Sequence, residues 1–181
     1  ECLIPLIDKD QKKAIQKATD AINLFEKKYE EKWMNMMRDK LGLIGLDNKD
    51  KFLILDLLTW MHDKKADYTN TFCHLMGLAP KKDKLFETKD FINWKKKWEE
   101  RSLKNNNNPN KCLELMRNNN PLVIPRNHKI EEALNAAEQN DLKPTNKILK
   151  ILENPYIKQS EIADFQSPSI SKEKYQTFCG T

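Results

Sequence analysis

The sequence predicts an all-α protein, an array of about seven or eight helices followed by an irregular C-terminal tail. Three observations carry this expectation. Apolar residues recur at three- and four-residue spacing, Asp and Gly stand where such stretches begin and end, and no strand-like alternation of useful length occurs. No fixed-period repeat appears, which argues against the common solenoids.

Residues 8–40 place Ala14, Ile15, Ala18, Ile22 and Phe25, then Trp33, Met36, Met37 and Leu41, at helical spacing, as two successive stretches. Gly42 closes the second, where a left-handed cap is wanted. Asp47 is expected to cap a third helix with Phe52, Leu55, Leu58 and Met61 on its inner face. Asp67 caps the next, with Phe72, Leu75 and Met76 inward and residues 77–80 as its stop. Thr88 opens a lysine-rich helix whose apolar stripe is Phe91, Trp94, Trp98 and Leu103. Residues 105–108, four asparagines before Pro109, read as an exposed loop and the one internal boundary. Cys112, Leu113, Leu115 and Met116 form a short helix before residues 118–121 break the chain. Two more helices follow, at about residues 126–139, with Ile130, Ala133, Leu134 and Ala137 inward, and about 145–152, with Pro144 near its start. The expected organisation is a helical array over 1–104, an asparagine-rich loop and short helix over 105–120, a helical pair over 121–158 and a tail over 159–181.

Composition narrows the function. With 39 % hydrophobic and 33 % charged residues, only 4 glycines and 8 prolines, the chain is globular rather than collagen-like or disordered. No run approaches the roughly 18 apolar residues of a membrane span. The net charge of +5 is mild, and Lys95, Lys96 and Lys97 are followed at once by Glu99 and Glu100, so no nucleic-acid partner is expected. The four cysteines, Cys2, Cys73, Cys112 and Cys179, form no CxxC pair, and only His74 adjoins one of them. That usage fits a reducing compartment, the cytosol by default. The chain starts at Glu1 with no methionine and no signal-type segment, and is read as a piece of something longer.

Catalytic motifs are absent by residue type. Neither GxxxxGK nor GxGxxG occurs, so neither phosphate-cradling loop is available. Glu99-Glu100 and Glu131-Glu132 are adjacent pairs that diverge by about 100° on a helix and read as solvated faces. His62, His74 and His128 stand apart from any metal or triad partner, and Trp33, Trp60, Trp94 and Trp98 read as core. No catalytic, metal-binding or cofactor-binding residue is assigned. Cys73 and Cys112 fall on apolar faces as inert thiols, whereas Cys179, third from the end of a polar tail, is reachable.

Several motifs stand in register. They are Trp33-x-x-x-Met37-x-x-Lys40-Leu41-Gly42-Leu43, Leu57-Leu58-x-x-Met61, Ala66-Asp67-Tyr68-Thr69-Asn70-x-Phe72-x-x-Leu75, Asn120-Pro121-x-x-x-x-Arg126-Asn127, Leu149-x-x-Leu152-x-Asn154-Pro155-Tyr156 and the ending Cys179-Gly180-Thr181. Their order and spacing resembles the C-terminal portion of the selenoprotein O family, kinase-like proteins that transfer AMP from ATP to protein Ser, Thr or Tyr hydroxyls. Cys73 and His128 depart from that pattern, which has an arginine and an aromatic residue there. The resemblance implies that the ATP- and Mg2+-binding machinery lies in a kinase-like domain N-terminal to these helices. That domain would be this chain's partner, with protein substrates reached through it. It also implies a redox-regulatory role for Cys179, at the position where some members carry selenocysteine. Without that larger partner, the sequence would be a free-standing helical interaction module, its groove lined by Trp94 and Trp98.

Overall fold

The computed structural model describes residues 2–104 and 108–169. Among them are nine α-helices and no strand: α1 (Ile4–Ile7), α2 (Gln11–Lys40), α3 (Asp50–Lys64), α4 (Tyr68–Leu75), α5 (Lys89–Lys104), α6 (Pro109–Asn119), α7 (Asn127–Glu138), α8 (Lys143–Leu152) and α9 (Ala163–Gln166). A 3-10 turn, Lys84–Glu87, precedes α5. Residues 1, 105–107 and 170–181 lie outside the described residues, including Cys179 and most of the asparagine loop.

Helix boundaries follow local chemistry. Asp10 accepts hydrogen bonds from the amides of Lys12 and Lys13 at the start of α2, and Asp67 accepts from Asn70 at the start of α4. Asn108 does the same for Asn110 and Lys111, with Pro109 opening α6. At the end of α2 the Leu43 amide donates back to Arg38 O (2.9 Å) across Gly42, whose φ is +66°. A Cβ there would also sit 2.6 Å from Cys112 O, so glycine is needed both for the turn and for α6 to approach. No breaker stands between Phe25 and Trp33, so the two stretches expected before Gly42 are one continuous 30-residue helix.

Two apolar clusters form the interior. The first gathers Met37, Leu41, Ile54, Leu57, Trp60, Phe72, Phe91 and Trp94 from α2 to α5. The second gathers Cys73, Met76, Met116, Leu122, Val123, Ile151 and Ile162. Consecutive residues of α4, Phe72 and Cys73, belong to different clusters, so this short helix joins them.

Two expectations on facing are corrected. Phe52 and Leu55 point out of α3, which instead buries Leu53, Ile54, Leu57, Trp60 and Met61. That helix is apolar nearly all round, so its periodicity carries no direction and its neighbours choose the face. Its start is also two residues later than expected, with Lys49 rather than Asp47 at the cap position: Asp47 accepts from the Lys49 amide in a preceding turn, and Asp50 lies in the first turn. Leu134 of α7 is exposed as well, Ala133 being the buried residue. The N-terminal half of α2 leaves Ile15, Ile22 and Phe25 exposed.

Candidate functional site

The motif residues converge on one junction at the foot of α4. Asp67 caps that helix through the Asn70 amide (2.8 Å) and faces Arg126, which precedes α7. The guanidinium grips the carboxylate with both prongs, Nη1 to Oδ2 at 2.8 Å and Nη2 to Oδ1 at 3.0 Å, and its Nε donates to Phe165 O at 3.2 Å. Burial alone would raise the Asp67 pKa, but Arg126 and the Asn70 amide outweigh it and hold the carboxyl below its ordinary 3.8. Asn70 donates to Gln166 O at 2.9 Å, so the last described turn is tied down from two sides.

A second strand of the junction starts at α2. The Asn120 amide donates to Lys40 O and Met116 O, each at 2.8 Å, while Lys40 Nζ donates to Asn120 Oδ1 and Asn119 O, each at 3.0 Å. The ammonium sits 4.9 Å from the centre of the Phe72 ring, and its burial lowers the Lys40 pKa. Asn120 is 1 % exposed, and its bond to Met116 O is fully buried while those shared with Lys40 are partly so. Leu122 then donates to Pro155 O at 2.7 Å, which brings the Asn154-Pro155 motif into the same assembly.

Cys73 lies at the centre. Its Sγ is 3.9 Å from Leu122 O and accepts from Gln166 Nε2 at 3.9 Å, and burial pushes its pKa up to about 11. The group stays a thiol at neutral pH and is no nucleophile. Where the resemblance has an arginine, this chain has a small side chain that the second cluster absorbs. Cys112 is buried too, as its apolar face predicts.

The largest polar contact was missed by sequence reading. Asp50, 0 % exposed, accepts from Arg38 Nε (2.8 Å), Arg101 Nε (2.6 Å), Arg101 Nη2 (3.1 Å) and the Asp47 amide (3.2 Å). Arg101 also reaches Gly45 O at 3.0 Å, so α2, α3, α5 and the α2–α3 loop are joined at one carboxylate. A signal existed: Arg101 continues the stripe of Phe91, Trp94 and Trp98 at the same three- and four-residue spacing. A charge on an apolar stripe points to a buried partner.

Trp60 and Trp94 are buried in the first cluster, and Trp33 and Trp98 pack against it partly buried. Trp94 Nε1 donates to Leu53 O and Trp98 Nε1 to Leu41 O, at 2.9 and 2.8 Å. His74 stacks on Phe86 at 3.8 Å, and its partial burial, with Lys95 nearby, lowers its pKa. Among the described residues no group of three or more His, Cys, Asp or Glu side chains is placed to hold a metal ion, and no helix is long and apolar enough to cross a membrane. Asp50 and Asp67 are both committed to arginine.

The sequence profile of the family described as protein adenylyltransferase SelO matches residues 1–153. The chain belongs to the SelO family. It is similar along its whole length to proteins described as protein nucleotidyltransferase YdiU, 53 % identical in Pelagibacter ubique over 182 residues, 43 % in Alcanivorax borkumensis and 41 % in a Bacillus cereus strain, each over 183 residues. In each case it spans 38 % of the relative's length. The motifs around Lys40, Asp67, Asn120, Arg126 and Pro155, among those that carry the resemblance to this family, build this junction, while Leu57-Leu58-x-x-Met61 belongs to the first cluster and Cys179-Gly180-Thr181 lies outside the described residues. Within this SelO family chain their visible work is to hold helices together.

Proposed function

We propose that this chain is the C-terminal helical region of a protein adenylyltransferase that moves AMP from ATP to Ser, Thr or Tyr hydroxyls of other proteins in the cytosol. ATP and Mg2+ are bound by a kinase-like part of the polypeptide outside these 181 residues, and the helices support that part. The observation that carries this reading is full-length similarity to nucleotidyltransferases of which the chain spans only 38 %.

Cys179 is the redox-regulatory group of the whole protein in this reading. Its thiol and a second thiol outside the chain are oxidised together by a peroxide, which takes two electrons and two protons and leaves as reduced product while the sulfur–sulfur bond forms. Oxidation holds the enzyme down, and reduction releases it.

The mass of the native polypeptide, read with an antibody against residues 166–181, is the first test. A band much heavier than the 21.3 kDa of this chain is expected. That heavier protein, given labelled ATP and Mg2+, incorporates AMP into protein, while the 181-residue chain does not. A native band near 21.3 kDa, or AMP transfer by the short chain, overturns the reading. In the heavier protein, Cys179→Ser is expected to remove the oxidant sensitivity of AMP transfer; unchanged sensitivity rules out the regulatory role.

A further inference from the structure

α2 is about 45 Å long at 1.5 Å per residue, yet its two halves live in different surroundings. From Trp33 onward it packs into the first cluster, whereas every residue from 19 to 32 is exposed. A helix left in water is expected to be polar on all sides. This half is not. Ile15, Ala18, Ile22, Phe25 and Tyr29 follow at spacings of three, four, three and four, one face of the helix, and Trp33 and Met37 continue that face into the core. Ile15 is 49 % exposed, Ile22 72 %, Phe25 66 % and Tyr29 59 %; Phe25 and Tyr29 stack on each other at 5.9 Å. α1 packs against the same end of α2 and adds Leu3 and Leu6, exposed by 69 % and 82 %.

We infer that the Ile15–Tyr29 face of α2 is the seat on which the rest of the enzyme's polypeptide packs, a reading that rests on the proposed function. The relatives supply the occupant: 62 % of their length, the remainder after the matched 38 %, has no counterpart here. A second copy of this chain fits less well, because the stripe runs without a break into the core, as expected of one helix shared between two packed halves of a single polypeptide.

The test compares two contexts. Ile22→Ala with Phe25→Ala is placed in the 181-residue chain and in the full-length Pelagibacter ubique relative carrying this chain in place of its matching region. The pair leaves the melting temperature of the short chain within about 1 °C of the parent, and lowers that of the full-length protein by about 4 °C or more. Hydrogen exchange of the unmodified proteins is the second readout and needs no variant. The segment over residues 14–29 exchanges at least tenfold more slowly in the full-length protein, and the corresponding segment of the unmodified relative is equally protected. Unchanged melting together with equal exchange in both contexts overturns the inference. So does a short chain that sediments as a dimer which Ile22→Glu with Phe25→Glu dissociates, while the full-length protein is indifferent. AMP transfer by the full-length protein is scored separately. A protected stripe without AMP transfer sinks the functional reading and leaves this one standing; transfer with an unprotected stripe does the reverse.

Discussion

Asp50 and Asp67 are both aspartates at helix starts held by arginines of other segments, and they differ in what surrounds them. Asp50 is fully sealed and has two arginines and a backbone amide on it; Asp67 keeps a side chain 23 % exposed and has one arginine and the amide it caps. The first ties α3 back to α2 across 12 residues and forward to α5 across 51, and the second ties α4 to a segment 59 residues away. A carboxylate closed off from water depends wholly on its partners, whereas one at the edge can fall back on solvent.

The contrast can be broken at its strong end first. Asp50→Ala strands Arg101, itself 7 % exposed, among apolar neighbours, and is expected to cost about 3–5 kcal/mol of unfolding free energy, the range for breaking a buried pair. Urea unfolding followed by circular dichroism checks it, and a loss below about 1 kcal/mol would make the cluster ornamental. Arg126→Ala is next, at roughly 2–3 kcal/mol, since it removes a two-pronged charged contact but leaves Asp67 able to reach water. Its loss should show first as faster hydrogen exchange over α9, whose Phe165 O the arginine holds.

The pH dependence sharpens the comparison further. The folded pKa of Asp67 lies below 3.8, so the unfolded state takes up its proton first on acidification. The stabilisation is complete above about pH 5 and is lost as pH falls through the folded value. Asp67→Asn keeps the helix cap and removes the titration, so its stability should fall less steeply between pH 5 and 3 than that of the parent protein. Parallel curves would refute the assignment. The smallest effect is expected at Lys104, 63 % exposed beside Asp47 at 2.6 Å: Lys104→Ala should leave the unfolding midpoint within error.

Much of this was legible in residue types. Asp67 stands before an apolar run, and Gly42 is the kind of residue the α2 turn requires, so these ends were readable where a local bond decides them. Facing was readable only where a helix has one apolar side. α3 has apolar residues on most sides, and the choice of Trp60 and Leu53 over Phe52 and Leu55 is made by the first cluster, which no local window contains. The Asp67–Arg126 junction was foreshadowed by its motifs but not its geometry, because 59 residues separate the partners. The exposed half of α2 was legible as a helix from its periodicity alone; a stripe shows that a face is meant to be covered, not by what.

The bond from Asn70 to Gln166 has a consequence for how the protein is made. At roughly 5–20 residues per second, a ribosome needs about 5–20 s to synthesise the 96 residues between them. Within that interval, once residue 104 has been added, α2 to α5 can close around Asp50. Cys73 and the open flank of α4 must wait. A nascent chain stalled short of residue 160 carries a finished first cluster beside an uncovered second one, and it is this flank that a chaperone would have to shield until the C-terminal turns arrive.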